Sequence, residues 1–119
     1  MELNMYAVKA QQTAVFTHND YPLIALGEEV GEVMGKIAKF GRKNDMSVEE
    51  VINAIANPET QEVEELRAAI KKEMGDVLWQ WSMLCNVLCM SPNHIAEENL
   101  FKLQGRKQRN VINGEGDDR

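Results

Sequence analysis

The chain is short of the residues that cross-link, punctuate or decorate a fold. Its 119 residues include three prolines, two cysteines and two histidines, and aromatics make up 6%. Cys85 and Cys89 are four apart, with no further cysteine and no nearby histidine to complete a metal or redox site. They read as small buried apolar residues on one helix face in a reducing compartment. No apolar run is long enough to span a bilayer, so no membrane association is expected. The opening MELNMYAVKAQQT has no basic segment followed by an apolar one, so no secretory signal is read and a cytoplasmic location is expected. Alternating β-branched runs are missing, and with them any strand. Positive charge is in deficit. A formal net charge of -6 argues against a nucleic-acid polymer as partner. An anionic small ligand stays compatible, because a bound cation inverts the local field.

Helical periodicity is what the chain has in abundance. Hydrophobic residues at 44% and charged residues at 27% suit one soluble domain over 1–119, with an irregular C-terminal tail from about 110. Helices are expected over about 3–17, 22–40, 47–56, 59–89 and 92–108. The signals include the capping box Ser47-Val48-Glu49-Glu50, the breaker Asn57-Pro58 and the start signal Ser91-Pro92. Leu23, Leu26, Val30, Val33, Met34 and Ile37 recur at the spacing of one buried face. Val63, Leu66, Ile70, Met74, Val77, Trp81, Leu84 and Leu88 do the same on the longest helix. The expected fold is an all-α helical bundle built on two long antiparallel helices. His18 and His94 read as a turn residue and a surface residue.

One stretch, GEEVGEVMG at 27–35, breaks the ordinary rules of a helix. Gly27, Gly31 and Gly35 each weaken it by about 1 kcal/mol relative to alanine. They leave a smooth strip for a close approach by another helix or a substrate. Glu29 and Glu32 are three apart, as are Glu73 and Asp76 on the longest helix, and residues three apart share a face. If the two apolar stripes pack together, four carboxylates converge at the edge of the interface. Their repulsion and desolvation would be relieved by hard divalent cations, and a carboxylate-bridged pair of ions suits in-line displacement at phosphorus. Solvated helix faces with Glu32 paired to Lys36 are the plainer alternative. With no histidine in either motif, an all-oxygen site suits Mg²⁺, or Mn²⁺, better than a di-iron centre.

Near the other end, Asn99, Lys102, Arg106 and Arg109 follow one another at three and four residues and share a face. They read either as cations complementing a helix C-terminus or as a clamp for phosphate oxygens. Trp79, Trp81, Phe16 and Tyr21 are the candidates for stacking on a base. Trp81, on the main stripe, reads as core.

Together, E-E-x-x-E at Glu28 to Glu32, E-x-x-D at Glu73 to Asp76, the basic face and the ending G-x-G-D-x-R at Gly114 to Arg119 resemble the MazG-like nucleotide pyrophosphohydrolases. The resemblance implies an all-α enzyme that hydrolyses nucleoside triphosphates, deoxy forms included, to a monophosphate and pyrophosphate with Mg²⁺. It implies Glu29, Glu32, Glu73 and Asp76 as metal ligands, and Asn99, Lys102 and Arg106 as phosphate contacts. Arg109, Asp117 and Arg119 join the substrate-binding set, with the tail closing over the substrate. Water is expected to attack the α-phosphorus, with Glu28 or Glu29 accepting its proton. Assembly as a homodimer or homotetramer is also implied. The segment between Glu32 and Glu73 is longer than in compact members. Two alternatives stay open: a pyrophosphohydrolase for another nucleotide phosphoanhydride, and a non-catalytic helical module that binds nucleotide or protein.

Overall fold

A computed structural model describes residues 1–117. It contains α1 (Leu3–Gln11), α2 (Tyr21–Asn44), α3 (Val48–Ala56), α4 (Gln61–Val87) and α5 (Pro92–Gln108), and no strand among the described residues. The chain is therefore all-α, as the periodicity requires. No described helix is long and apolar enough to cross a membrane. Arg119, expected at the site, lies outside the described residues.

Local chemistry sets the helix ends. At α3 the capping box is complete: the Glu50 amide donates to Ser47 Oγ at 3.1 Å, and the Ser47 amide donates to Glu50 Oε1 at 3.0 Å. These bonds hold the Glu50 carboxyl below its ordinary range. Thr60 Oγ1 accepts from the Val63 amide to open α4, and Ser91 Oγ accepts from the His94 amide to open α5. Two ends fall away from the expected places. α1 stops at Gln11 rather than near 17, where the Thr13 hydroxyl donates to the Ala10 carbonyl at 2.7 Å and turns the chain. α2 runs past Phe40 to Asn44 and stops at Asp45, which takes the left-handed conformation with φ 52°. Arg42 and Lys43 favour that extra turn because they face the negative end of the helix dipole.

α2 packs on α4 as the largest helix interface. Their direction is antiparallel, since ion pairs join Lys36 to Glu73 and Lys43 to Glu62, while the Tyr21 hydroxyl meets Gln80. Ala25, Val51, Val63, Ile70, Met83 and Cys85 are buried in the core. α3 closes one end, with Val51 fully buried and Ile55 accepting a 2.6 Å hydrogen bond from Arg67 Nη1. α1 is tied to α4 by Asn86, which donates to Gln11 Oε1 at 2.9 Å. It is tied to α5 by reciprocal bonds, the Asn93 amide to Asn4 Oδ1 at 2.9 Å and the Asn4 amide to Asn93 Oδ1 at 3.1 Å.

The apolar stripes are wider than the interface they form. Leu23, Val30, Met34, Met74 and Leu88, expected to be buried, are exposed. α1 and α3 cover only part of what α2 and α4 leave open, so the outer part of each stripe faces solvent. Cys89 is exposed as well. α4 ends at Val87, and Cys89 takes φ 56°, which carries it off the face that buries Cys85. Trp81 is half-buried. Gly27, Gly31 and Gly35 face open space, so no helix of this chain uses the smooth strip.

Gly41 is different. A Cβ there would stand 2.8 Å from the backbone carbonyl oxygen of Met46, which cannot swing away as a flexible side chain can. Gly41→Ala is therefore expected to destabilise the fold by about 1–3 kcal/mol, the range for forced overpacking. Urea denaturation followed by helical circular dichroism would check this.

Candidate functional site

Antiparallel packing of α2 on α4 brings one turn of each helix face to face. Carboxylate oxygens of Glu29, Glu73 and Asp76 lie within 4.8 Å of one another. Glu29 and Glu73 are half-buried and Asp76 is exposed. Burial, the charges of Asp76, Glu73 and Glu32, and a hydrogen bond to Glu73 push the Glu29 carboxyl above its ordinary value. Lys36, one turn beyond Glu32 on α2, reaches across to Glu73, with Nζ 3.5 Å from Oε1.

Two of the expected acidic residues stand apart. Glu32 is exposed and lies outside the three-carboxylate group, although its charge acts on Glu29. Glu28 is exposed and outside it too. The plain pairing of Glu32 with Lys36 does not form, since Lys36 takes Glu73 instead.

The donor set fits a hard divalent cation. It is all oxygen, it carries more negative charge than Lys36 balances, and its half-buried members repel one another. Three anionic groups this close are each held against their neighbours' charge, which a divalent ion would relieve.

Next to this cluster lies an aromatic pocket of about 420 Å³. Trp79 is one turn beyond Asp76 on α4 and forms one wall. Phe16 stacks on Tyr21 with ring centroids 5.5 Å apart and meets Trp79 edge-on at 6.3 Å. Trp79 Nε1 donates to Thr13 Oγ1 at 2.9 Å, which fixes the indole. Thr17 and His18 complete the rim. Of the four stacking candidates read from the sequence, Phe16, Tyr21 and Trp79 meet here and Trp81 does not line the pocket.

The basic face sits elsewhere on the chain. α5 packs mainly on α1. Lys102 Nζ and Arg106 Nη2 both bind Asp117 Oδ1, at 3.1 and 3.0 Å. Arg106 is buried, because the tail folds back over it. Asn99 is exposed on α5, and Arg109 lines a groove beside Lys102.

Sequence reasoning missed Tyr6. Burial and the charge of Asp76 push its phenol up, which marks α1 as a neighbour of the acidic cluster. It also missed Lys36 as a partner of Glu73. Nothing in local spacing signals either, since both depend on which helices meet.

Residues 17–111 match the family model of the MazG nucleotide pyrophosphohydrolase domain. The chain belongs to that family. It is also 30% identical over 128 residues to the "Gene 37 protein" of Mycobacterium phage L5, across 100% of both chains. No solved structure shows a significant match. The matched region holds Glu29, Glu73, Asp76 and Trp79, so the acidic cluster and the pocket wall belong to the family domain. Membership brings nucleotide pyrophosphohydrolysis as the activity class, in a family that generally depends on metal.

Glu29 links this site to stability. Its folded value lies above its unfolded one, so its ionised form opposes folding at neutral pH. That penalty is absent below the ordinary value of 4.5, where both states hold the proton, and grows as pH rises through the folded value. In metal-free buffer at neutral pH, Glu29→Gln is expected to melt higher than the wild type by about 1–4 °C, a scale discounted for partial exposure. The gap should close in acid. Scanning calorimetry across pH would check it, and a variant that melts lower at neutral pH would contradict it.

Proposed function

We propose that this chain hydrolyses nucleoside triphosphates, deoxy forms included, to a monophosphate and pyrophosphate in a Mg²⁺-dependent reaction. The observation that carries the reading is the acidic cluster of Glu29, Glu73 and Asp76 beside an aromatic pocket. The first suits the phosphate end of a nucleotide and the second its base.

Glu29, Glu73 and Asp76 would hold the divalent ions, with Glu32 joining from the next turn of α2. When bound, such ions neutralise triphosphate charge and make a water acidic enough to attack phosphorus. Glu29 is the favoured proton acceptor, because it stands within the cluster while Glu28 is exposed and outside it. Lys36 balances part of the charge on Glu73 and keeps that side chain aimed across the helix interface. Phe16, Tyr21 and Trp79 offer ring faces to a base, at about 1–3 kcal/mol per stacked base. Attack at the α-phosphorus releases pyrophosphate, whose charge Lys102 and Arg106 would meet, with Asn99 and Arg109 on the same face of α5.

We also propose that the active form is a homo-oligomer, a homodimer at least. The radius of gyration is 17.4 Å, against about 13–14 Å for a compact chain of this length. Val30, Met34 and Met74 leave an apolar groove uncovered next to the strip of Gly27, Gly31 and Gly35. A second copy of α2 and α4, offering the same apolar side chains, would cover it. Such pairing also supplies a route by which the basic face of one chain meets the acidic cluster of another.

A panel of nucleoside triphosphates and nucleotide sugars, assayed separately for pyrophosphate and orthophosphate, tests the reaction. Pyrophosphate should appear only with Mg²⁺ or Mn²⁺ present. Glu73→Gln should lower kcat by at least about 100-fold, the scale of losing a group that acts only in the transition state. A folded Glu73→Gln protein with full turnover would sink the scheme.

A further inference from the structure

The acidic cluster already has a cation of the chain's own seated on it. Lys36 Nζ stands 3.5 Å from Glu73 Oε1, and the two side chains are 33% and 21% exposed. Among the described residues this is the ion pair that the three clustered carboxylates make. The ammonium therefore sits on a member of the group itself and not on a bystander.

The pair has the character of a held but exchangeable ion. A charge-assisted bond from nitrogen to a carboxylate closes to about 2.7–2.9 Å. At 3.5 Å the contact rests on charge without that bond. A lysine ammonium is a point charge on a flexible stem, and it lacks the rigid fork that locks arginine onto a carboxylate. Lys36 also borders an open, largely apolar slot of about 240 Å³ with Lys39, Phe40, Lys43, Leu66 and Ala69. The stem has apolar surface to lie on there, and the head has open space to withdraw into. No helix has to move for the ammonium to leave Glu73. Partial burial spares the contact the full screening of a surface pair.

An ammonium and a hard divalent cation want the same thing, the acceptor lone pairs of a carboxylate. A carboxylate with one cation beside it holds another less well, just as a neighbouring positive charge weakens its hold on a proton. We propose that Lys36 is a built-in counter-ion that a divalent cation displaces from Glu73, so that this side chain sets how readily the cluster takes up metal. In metal-free buffer Lys36 limits the repulsion among the three carboxylates and joins α2 to α4. On metal uptake the ammonium is released at the slot. The exchange keeps the affinity of the substrate-free cluster low, so it fills only where divalent cation is abundant. The inference rests on Glu29, Glu73 and Asp76 being the metal site of the proposed reaction.

The probe is Mn²⁺ alone, without nucleotide, titrated into the full chain and followed by calorimetry and by the electron-spin signal of the free ion. Lys36→Met keeps the stem and removes the charge. It should bind Mn²⁺ about tenfold tighter than the wild type, the lower end of what a neighbouring opposite charge does to a carboxylate's proton affinity. Lys36→Arg should bind no tighter than the wild type. Lys39 borders the same slot but makes no ion pair among the described residues. Lys39→Met should therefore stay within about twofold of the wild type, since a more distant exposed charge is screened. Melting gives a second readout. Lys36→Met should melt lower than the wild type in metal-free buffer, and Mn²⁺ should raise its midpoint further, because a tighter ligand of the folded state stabilises more. Mn²⁺ affinity that is unchanged or weaker in Lys36→Met would overturn the proposal. So would an equal gain in Lys39→Met, which marks a general effect of net charge. If neither the wild type nor Lys36→Met binds Mn²⁺, the metal-site reading falls and this inference falls with it. If Lys36→Met binds tighter but no triphosphate on the panel is hydrolysed, the enzymatic reading fails and the counter-ion role stands.

Discussion

Like charges do not gather between two packed helices without a reason, and the contact of α2 with α4 forces them to. The same antiparallel interface that buries Ala25, Ile70 and Met83 sets Glu29 against Glu73 and Asp76. Hydrophobic burial supplies the drive and electrostatic repulsion opposes it locally. Lys36 offsets one carboxylate, and the protonation of Glu29 is made easier by what surrounds it. The fold therefore holds a concentrated negative field in place by packing that lies elsewhere along the two helices. A family that acts on nucleotides with the help of metal has use for such a field.

The remaining helices act on that pair. α1 is short and its apolar moment is weak, yet it is anchored at both ends of its contacts by the amides of Asn86, Asn93 and Asn4. So held, it brings Tyr6 beside Asp76 and leads the chain through Thr13 and Phe16 to the wall made by Trp79. α3 occupies the long link between the two acidic motifs and seals the far end with Val51. α5 carries its cations on a separate limb, braced by the tail. The flat, open shape and the uncovered groove of Val30, Met34 and Met74 follow from the same economy of a chain with few layers.

Legibility from sequence varied with the range of the interaction. Caps and breakers act over three or four residues, so Ser47 and Ser91 announced their helices and α5 fell where expected. Spacing within one helix was equally readable, which is why Glu73 and Asp76 could be placed on one face, and Glu29 beside an apolar stripe. The end of α2 was less so. It depended on whether Asp45 would accept a left-handed conformation and Gly41 a close carbonyl.

The sequence alone determined the helical class, the number of helices, the family motifs and which carboxylates could share a face. Each of these follows from periodicity or from residue chemistry within a turn or two. Tertiary structure alone decided that Lys36 would serve Glu73 and not Glu32, that Glu32 would stand outside the closest group, and that Tyr6 would come within reach of the charge of Asp76. It likewise decided that Asp117 would pair with Lys102 and Arg106, and that part of each apolar stripe would stay bare. Those outcomes depend on the offset and rotation of one helix against another. A shift of a single residue turns a helix by about 100°, so only the packed molecule selects which side chains meet.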